Sequence, residues 1–296
     1  MRNLLILLTA CSLTTRAAAQ TITTPPAQTI TTPPAQTITT PPDNLHLDTF
    51  YTKYLDAGGI PVVSSARVSD SALYTGQSII TYMLSKRPDI RNELVRKKAR
   101  LSIIGQSEMQ TDLPECRNWK KPAIGDRRLT PQERANYDKP GGIASMTDQQ
   151  YWNQRARGMG GIQTSCAEEN LLGIPGTRYY GENITVHEFS HSIMSGLVAI
   201  DSNFRARINA AYDSAKQKGL YHGQYAINTV AEYWAEGTQW WFWSNFEFYD
   251  GTTRLQTPDD LKSYDPALYA LLDEVYPGHH IPADVYYGKN IPYHRQ

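Results

Sequence analysis

The chain of 296 residues is long enough for one large domain or two small ones. Its hydrophobic content of 40% and charged content of 20% are ordinary for a globular protein. Lys+Arg and Asp+Glu are equal at 29 each, and this neutral balance argues against nucleic-acid binding driven by phosphate neutralisation.

Residues 1–19 are predicted to be a signal peptide. Arg2 gives a positive start, residues 4–8 form a short apolar run, and residues 17–19 form a small-residue cleavage site. The apolar run is too short to span a bilayer, so we expect a secreted protein. An alternative is a lipoprotein anchored at the cell surface through Cys11, because residues 8–11 resemble a lipobox. That anchor is the one membrane association that we expect.

Residues 20–44 are predicted to be a Thr/Pro-rich linker built from a repeat. The unit QTITTPPA occupies residues 20–27 and 28–35, and a third copy, at residues 36–43, differs only in its last residue, Asp43. Such a unit has little to bury and favours an extended, polyproline-like spacer. The composition becomes globular from about residue 45, and residues 45–296 are predicted to form one domain.

Cys116 and Cys166 are the two cysteines outside the predicted signal peptide. In an oxidising compartment such a pair usually forms a disulfide, which is the prediction here. The alternative is two buried free thiols.

The pattern of apolar residues predicts the secondary structure of the domain in chain order. In its first half we expect helices at residues 47–55, 70–85 and 88–98, strands at 61–63, 101–104 and 167–172, and loops across 107–165. In its second half we expect helices that begin near residues 182–184, 201, 230 and 266, the last one capped by Asp265, and an irregular tail from residue 281.

The helix near residue 184 carries the motif His187-Glu188-Phe189-Ser190-His191. Residues at i and i+4 lie on one face of a helix, so the two imidazoles can bind one zinc ion. Glu188, next to the first histidine, is placed to act as general base on a zinc-activated water.

A catalytic zinc needs a third protein ligand. A histidine six residues after the motif, with a glycine three residues after it, is one solution, but Leu197 and Met194 occupy those positions. The other solution is a carboxylate from a following helix. Glu232 and Glu236 lie at i and i+4 in an otherwise apolar stretch, where two carboxylates would be costly without a cation or a donor.

The motif followed by Y-x6-E-Y-W-A-E resembles the catalytic domain of anthrax toxin lethal factor, a gluzincin metallopeptidase, and a related secreted branch. The likeness covers about residues 181–243. It implies that His187, His191 and Glu232 bind Zn2+ and that Glu188 is the catalytic base. It further implies that Tyr225 stabilises the oxyanion and that Glu236 orients a zinc-binding histidine. Tyr221 and His222 lie close enough in sequence to compete with Tyr225.

The sequence therefore predicts an α+β fold: a mostly helical, zincin-like domain with a small mixed sheet over the motif helix. The expected function is that of an exported zinc metalloendopeptidase acting on a peptide or protein substrate. The substrate is expected to lie along an edge strand, either 101–104 or 167–172. The alternative, from a different class, is a non-catalytic extracellular binding module that keeps zinc for structure.

Overall fold

The computed structural model describes residues 36–126 and 129–291. The predicted signal peptide, its alternative anchor at Cys11 and the first two repeat units lie outside the described residues. Within the described part of the chain, no helix is both long and apolar enough to cross a membrane.

A five-stranded mixed sheet is the frame of the fold. Its strands are β1 (Lys53–Asp56), β2 (Pro61–Ser64), β3 (Arg100–Ile104), β4 (Gly158–Met159) and β5 (Gln163–Ala167). They lie in the order β1-β2-β3-β5-β4. The three central strands are parallel, and β1 and β4 are antiparallel to their neighbours at the two edges. A separate two-stranded ribbon consists of β6 (Phe248–Tyr249) and β7 (Arg254–Leu255).

Most of the described residues that lie in regular secondary structure are helical. The helices are α1 (Asp70–Met83), α2 (Pro88–Arg96), α3 (Pro131–Ala135), α4 (Asp148–Arg155), α5 (Glu168–Leu171), α6 (Ile184–Ile200), α7 (Phe204–Gln217), α8 (Val230–Trp241), α9 (Pro258–Tyr264) and α10 (Pro266–Val275). The predicted α+β class, mostly helical with a small mixed sheet, is confirmed.

The central strands are buried on both faces, as parallel strands usually are. Leu101 and Ile103 of β3 point into the main core, which α1, α2, α6 and α8 share. Ile104 points to the opposite face, into a smaller core that includes Leu113. This double burial explains why the strand reads as a continuous apolar run.

The predicted disulfide between Cys116 and Cys166 is wrong: both residues are buried free thiols. Cys166 of β5 belongs to the main core on the helix side of the sheet. Cys116 belongs to the smaller core on the other side, where the Gln110 amide donates to its sulfur at 3.3 Å. The sheet lies between the two cysteines, so their sulfur atoms cannot meet.

Two further predicted elements differ from the structure. Residues 47–55 form a turn and then β1, because the Asp48 carboxylate accepts the Phe50 N–H and holds a local turn that competes with a helix. Residues 167–172 are not a strand: β5 ends at Ala167, and α5 begins one residue later.

Candidate metal centre

The motif helix α6 is fixed at its N-terminus by two asparagines. The side chain of Asn183 caps the helix by accepting the Val186 N–H at 3.1 Å. Asn170 of α5 accepts the Ile184 N–H at 2.9 Å. These bonds satisfy backbone N–H groups that a helix start leaves unpaired, and so set where the helix begins.

His187 and His191 lie one turn apart on the same face of α6, as the spacing predicts. Their ring centroids are 5.2 Å apart. His187 is buried, and His191 keeps a side-chain exposure of 16%. The pair therefore faces a site that remains open on one side.

Helix α8 supplies the carboxylate. Thr229 caps it, and Glu232 lies in its first turn. The Trp234 indole N–H donates to the Ser190 carbonyl of α6 at 3.1 Å, which joins the two helices beside the motif. As a result, Glu232 stands opposite both histidines.

Three side-chain atoms converge at this point. Glu232 Oε2 lies 3.0 Å from His187 Nε2 and 3.7 Å from His191 Nε2. Ligands about 2.0–2.1 Å from a tetrahedral ion are roughly 3.3 Å apart, so these spacings suit one small cation. Ligand atoms of His187, Glu188 and His191 also lie within 4.8 Å of one another. Glu188 Oε2 is 3.9 Å from His191 Nε2, whereas Glu232 Oε2 lies within 3.7 Å of the Nε2 atoms of both histidines.

The second nitrogen of His187 has a partner that the sequence analysis missed. Gln239, two turns after Glu232 on α8, places its Oε1 atom 3.0 Å from His187 Nδ1. The Gln239 Nε2 group donates to the Asn183 carbonyl at 3.1 Å, so the amide must turn its oxygen toward the histidine. Nδ1 is then the protonated nitrogen, and Nε2 is directed at the site.

In the metal-free protein the surroundings of His187 favour its doubly protonated form. Burial alone would lower its pKa, but the Glu232 hydrogen bond and the charges of Glu188 and Glu236 raise the pKa well above its ordinary value. One proton is directed at Gln239 and the other at Glu232. The second proton occupies the position that a cation bound to Nε2 would take.

The pKa values of His191 and Glu188 shift in opposite directions. Burial, with the positive charge of His187, lowers the pKa of His191 to about 4. Burial also raises the pKa of Glu188 to about 7, although His187 and a backbone hydrogen bond from Gly160 act against it. His191 is therefore neutral and free to donate an electron pair, and Glu188 can exchange a proton near neutral pH.

Glu236 is buried below Glu232 on the same helix. Its Oε1 atom is 3.6 Å from His187 Nδ1, farther than Gln239. Its Oε2 atom accepts from the Gln224 amide at 2.7 Å and from the Asn245 amide at 2.8 Å. Glu236 therefore acts on His187 through its charge, whereas Gln239 makes the direct bond.

Tyr225 is the tyrosine that reaches the site. Its hydroxyl is 3.5 Å from Glu232 Oε1, and its side chain is 42% exposed on the open side. Tyr221 is fully buried and donates its hydroxyl to Asp265 at 3.2 Å. His222 is exposed and lines a surface hollow with residues such as Asp250, away from the motif. Neither neighbour replaces Tyr225.

Arg155 is a second residue that the sequence analysis missed. It ends α4, and its Nε atom lies 3.1 Å from Glu133 Oε1 of α3. Its guanidinium lies beside the Tyr225 phenol and lowers the pKa of that hydroxyl against the effect of burial, and its charge acts in the same direction on Glu188. A signal for α4 was present, because Thr147 and Gln150 form a capping box.

The edge strand β4 borders the site. An added Cβ at Gly160 would overlap the His191 ring, and one at Gly158 would meet Ile184 and approach Glu188. Glycine at these positions lets the chain pass directly over the motif helix. Neither of the two segments predicted to guide the substrate is an edge strand beside the site. β3 is central in the sheet, and residues 167–172 are mostly helix.

No protein-family profile matches the chain, and no curated protein matches it. Among solved structures, the PRO-PRO endopeptidase PPEP-2 from Paenibacillus alvei aligns with a TM-score of 0.42 at 18% sequence identity. The alignment covers 73% of this chain and 97% of that one.

Proposed function

We propose that this protein is a zinc-dependent endopeptidase whose metal is held by His187, His191 and Glu232. The observation that carries the proposal is the approach of Glu232 Oε2 to the Nε2 atoms of both histidines, at 3.0 and 3.7 Å. Two imidazoles and one carboxylate on two helices form a donor set of the gluzincin type. The gluzincin assignment agrees with the lethal-factor-like sequence pattern.

The donor set fits zinc better than a harder cation. Imidazole nitrogen and carboxylate oxygen are ordinary zinc ligands, and three protein ligands leave a fourth position for water or substrate. Zinc held there would polarise a peptide carbonyl and bring the pKa of a coordinated water to about 7.

Glu188 is proposed as the proton-transfer residue. It takes the proton of the attacking water and passes it to the nitrogen of the leaving amine. Its pKa of about 7 in the metal-free protein supports both roles, because burial and charged neighbours already make its two protonation states close in energy.

Tyr225 is proposed to stabilise the negative charge that develops on the carbonyl oxygen. Burial and the Glu232 charge raise its pKa, so its hydroxyl stays protonated and can donate. Arg155 lies beside the Tyr225 phenol and adds a positive charge on the same side. The substrate is proposed to pair with β4, the edge strand beside Glu188.

Export and cleavage after residue 19 remain proposals, as does the alternative anchor at Cys11. Mass spectrometry of the mature protein's N-terminus distinguishes them, because a lipid-modified cysteine and an unmodified Gln20 differ in mass.

The test of the peptidase proposal is Glu188→Gln, assayed on a peptide library with the zinc content measured in the same samples. The variant is expected to keep its zinc and to lose about 10²–10⁴-fold in kcat. Glu274→Gln is the control, since Glu274 pairs with Arg207 on the surface and should leave cleavage unchanged. Stoichiometric zinc without any Glu188-dependent cleavage would overturn the proposal.

A further inference from the structure

The third copy of the Thr/Pro unit lies on the domain and extends its sheet. Thr39 N–H donates to the Tyr54 carbonyl at 3.1 Å, and Tyr54 N–H donates to the Thr39 carbonyl at 2.8 Å. This antiparallel bridge is on the outer edge of β1, the end strand of the sheet. The unit thus covers backbone groups that an edge strand would otherwise expose.

Side chains of the same unit make specific contacts. Gln36 Oε1 accepts from the Gln77 amide at 3.0 Å and from the Asp56 N–H at 3.3 Å. Ile38 is partly buried against the main core. The backbone pair accepts any extended chain, whereas the amide and apolar contacts select glutamine and isoleucine two residues apart.

The unit also limits its own pairing. Pro41 and Pro42 follow the Thr39 bridge after one residue, and proline has no N–H to donate to a neighbouring strand. The added strand therefore stops after Thr39 and Thr40. A short, self-terminating strand suits exchange between partners better than a long one, which would be prone to aggregate.

The first two units have the same sequence as the third over seven residues. Gln20 and Gln28 correspond to Gln36, and Ile22 and Ile30 correspond to Ile38. Every group of the third unit that contacts the domain is therefore present in two more copies, while each domain has one β1 edge.

We propose that the outer edge of β1 is a docking site for the Gln-Thr-Ile-Thr-Thr-Pro-Pro unit, and that a second copy of this protein is the partner that supplies the unit in trans. The chain's own third unit fills the edge first, because its short connection to β1 gives it a high effective concentration. When that unit is displaced, a unit from a second molecule takes its place and links the two molecules. This inference is independent of the peptidase proposal.

The test mixes full-length acceptor and donor chains. The acceptor carries Ile22→Asp, Ile30→Asp and Ile38→Asp. Its third unit then no longer binds the β1 edge, and none of its units can bind another molecule. The donor is the wild-type chain, and the control donor carries only Ile22→Asp and Ile30→Asp. Analytical ultracentrifugation measures the 1:1 complex.

Wild-type donor is expected to bind the acceptor at least about tenfold more tightly than the control donor, whose remaining unit is occupied. No complex with either donor, or equal binding of both, overturns the proposal. An acceptor with Thr39→Pro in place of Ile38→Asp removes the N–H donated to Tyr54 without burying a charge, and guards against misfolding.

A second readout uses the free peptide Gln-Thr-Ile-Thr-Thr-Pro-Pro-Ala. Added to either acceptor, it is expected to slow hydrogen exchange of the Tyr54 amide at least about tenfold, because that amide donates to the bound strand. A peptide of the same composition in scrambled order is the control. Equal protection by both peptides, or by neither, contradicts sequence-specific docking.

Discussion

Replacing Gln239 by leucine tests how the protein presents His187 to a metal. In the wild-type chain, Gln239 Oε1 lies 3.0 Å from His187 Nδ1, and the Asn183 carbonyl fixes the direction of the amide. Leucine keeps the volume and removes the acceptor. A neutral His187 can then place its proton on Nε2, the nitrogen proposed to bind zinc.

The size of the effect follows from that one bond. Removing an outer partner of a metal-binding histidine typically costs 10–100-fold in metal affinity, about 1.4–2.8 kcal/mol. A hydrogen bond to a charged group contributes a similar amount, about 1.5–3 kcal/mol. We therefore expect Gln239→Leu to weaken zinc binding about 10–100-fold. It should also destabilise the metal-free protein, since His187 Nδ1 loses its acceptor and the Asn183 carbonyl keeps only the His187 N–H as donor.

A competition assay against a chromogenic chelator measures the zinc Kd, and thermal unfolding of the metal-free protein measures stability. Thr238→Val is the matched control, because Thr238 is buried on the same helix but bonds to Trp234 and Tyr276. It is expected to lose stability and to keep its zinc affinity. A folded Gln239→Leu variant with wild-type zinc affinity would refute the reasoning.

Three more predictions concern the site and its surroundings. Gly160→Ala is expected to weaken zinc binding at least about tenfold, because its methyl group would overlap the His191 ring. Gly161→Ala is the control, because nothing lies within 4 Å of the added methyl group and only the φ of +120° is strained. It should lower the melting temperature and leave zinc affinity unchanged. Zinc binding at pH 7 should release about one proton from His187, because the pKa of this residue in the metal-free protein is raised well above its ordinary value. Zinc affinity should therefore decrease as the pH is lowered, and calorimetry in buffers of different ionisation enthalpy counts the released proton. Burial raises the pKa of Asp284 from 3.8 to about 6, so the folded state binds this proton more tightly than the unfolded state does. As the pH falls from above 6 to below 3.8, Asp284 should therefore increase the free energy of unfolding by up to about 3 kcal/mol. Denaturant unfolding of Asp284→Asn at several pH values should lack this increase.

Local patterns in the sequence were enough to predict the two helices that form the site. The i, i+4 spacing of His187 and His191 placed both on one face. The helix predicted to begin near residue 230 agrees with α8, which Thr229 caps. Glu232 and Glu236 were candidates because buried carboxylates need a cation or a donor, and the resemblance to the lethal factor catalytic domain assigned Glu232 to the metal. The helix faces and the carboxylate pair follow from physics that acts within a few turns of helix, whereas the choice between the two carboxylates does not.

Features that depend on how distant elements pack were missed. Gln239 looks like any buried polar residue until α8 is placed against α6. The two cysteines suggested a disulfide, although the sheet lies between them. The edge position of β4 follows from strand order, which two residues of sequence cannot specify. The capping box at Thr147 was a usable local signal for α4, and with it for Arg155.

The most direct test of the metal centre is a crystal structure with anomalous data collected on both sides of the zinc absorption edge. We expect one zinc ion bound by the Nε2 atoms of His187 and His191 and by the Glu232 carboxylate, with a water at the fourth position beside Glu188. A fourth protein side chain closing the coordination would contradict an enzymatic site and favour a structural zinc in a binding module. Zinc bound elsewhere, or absent after growth with zinc, would contradict the proposed centre itself.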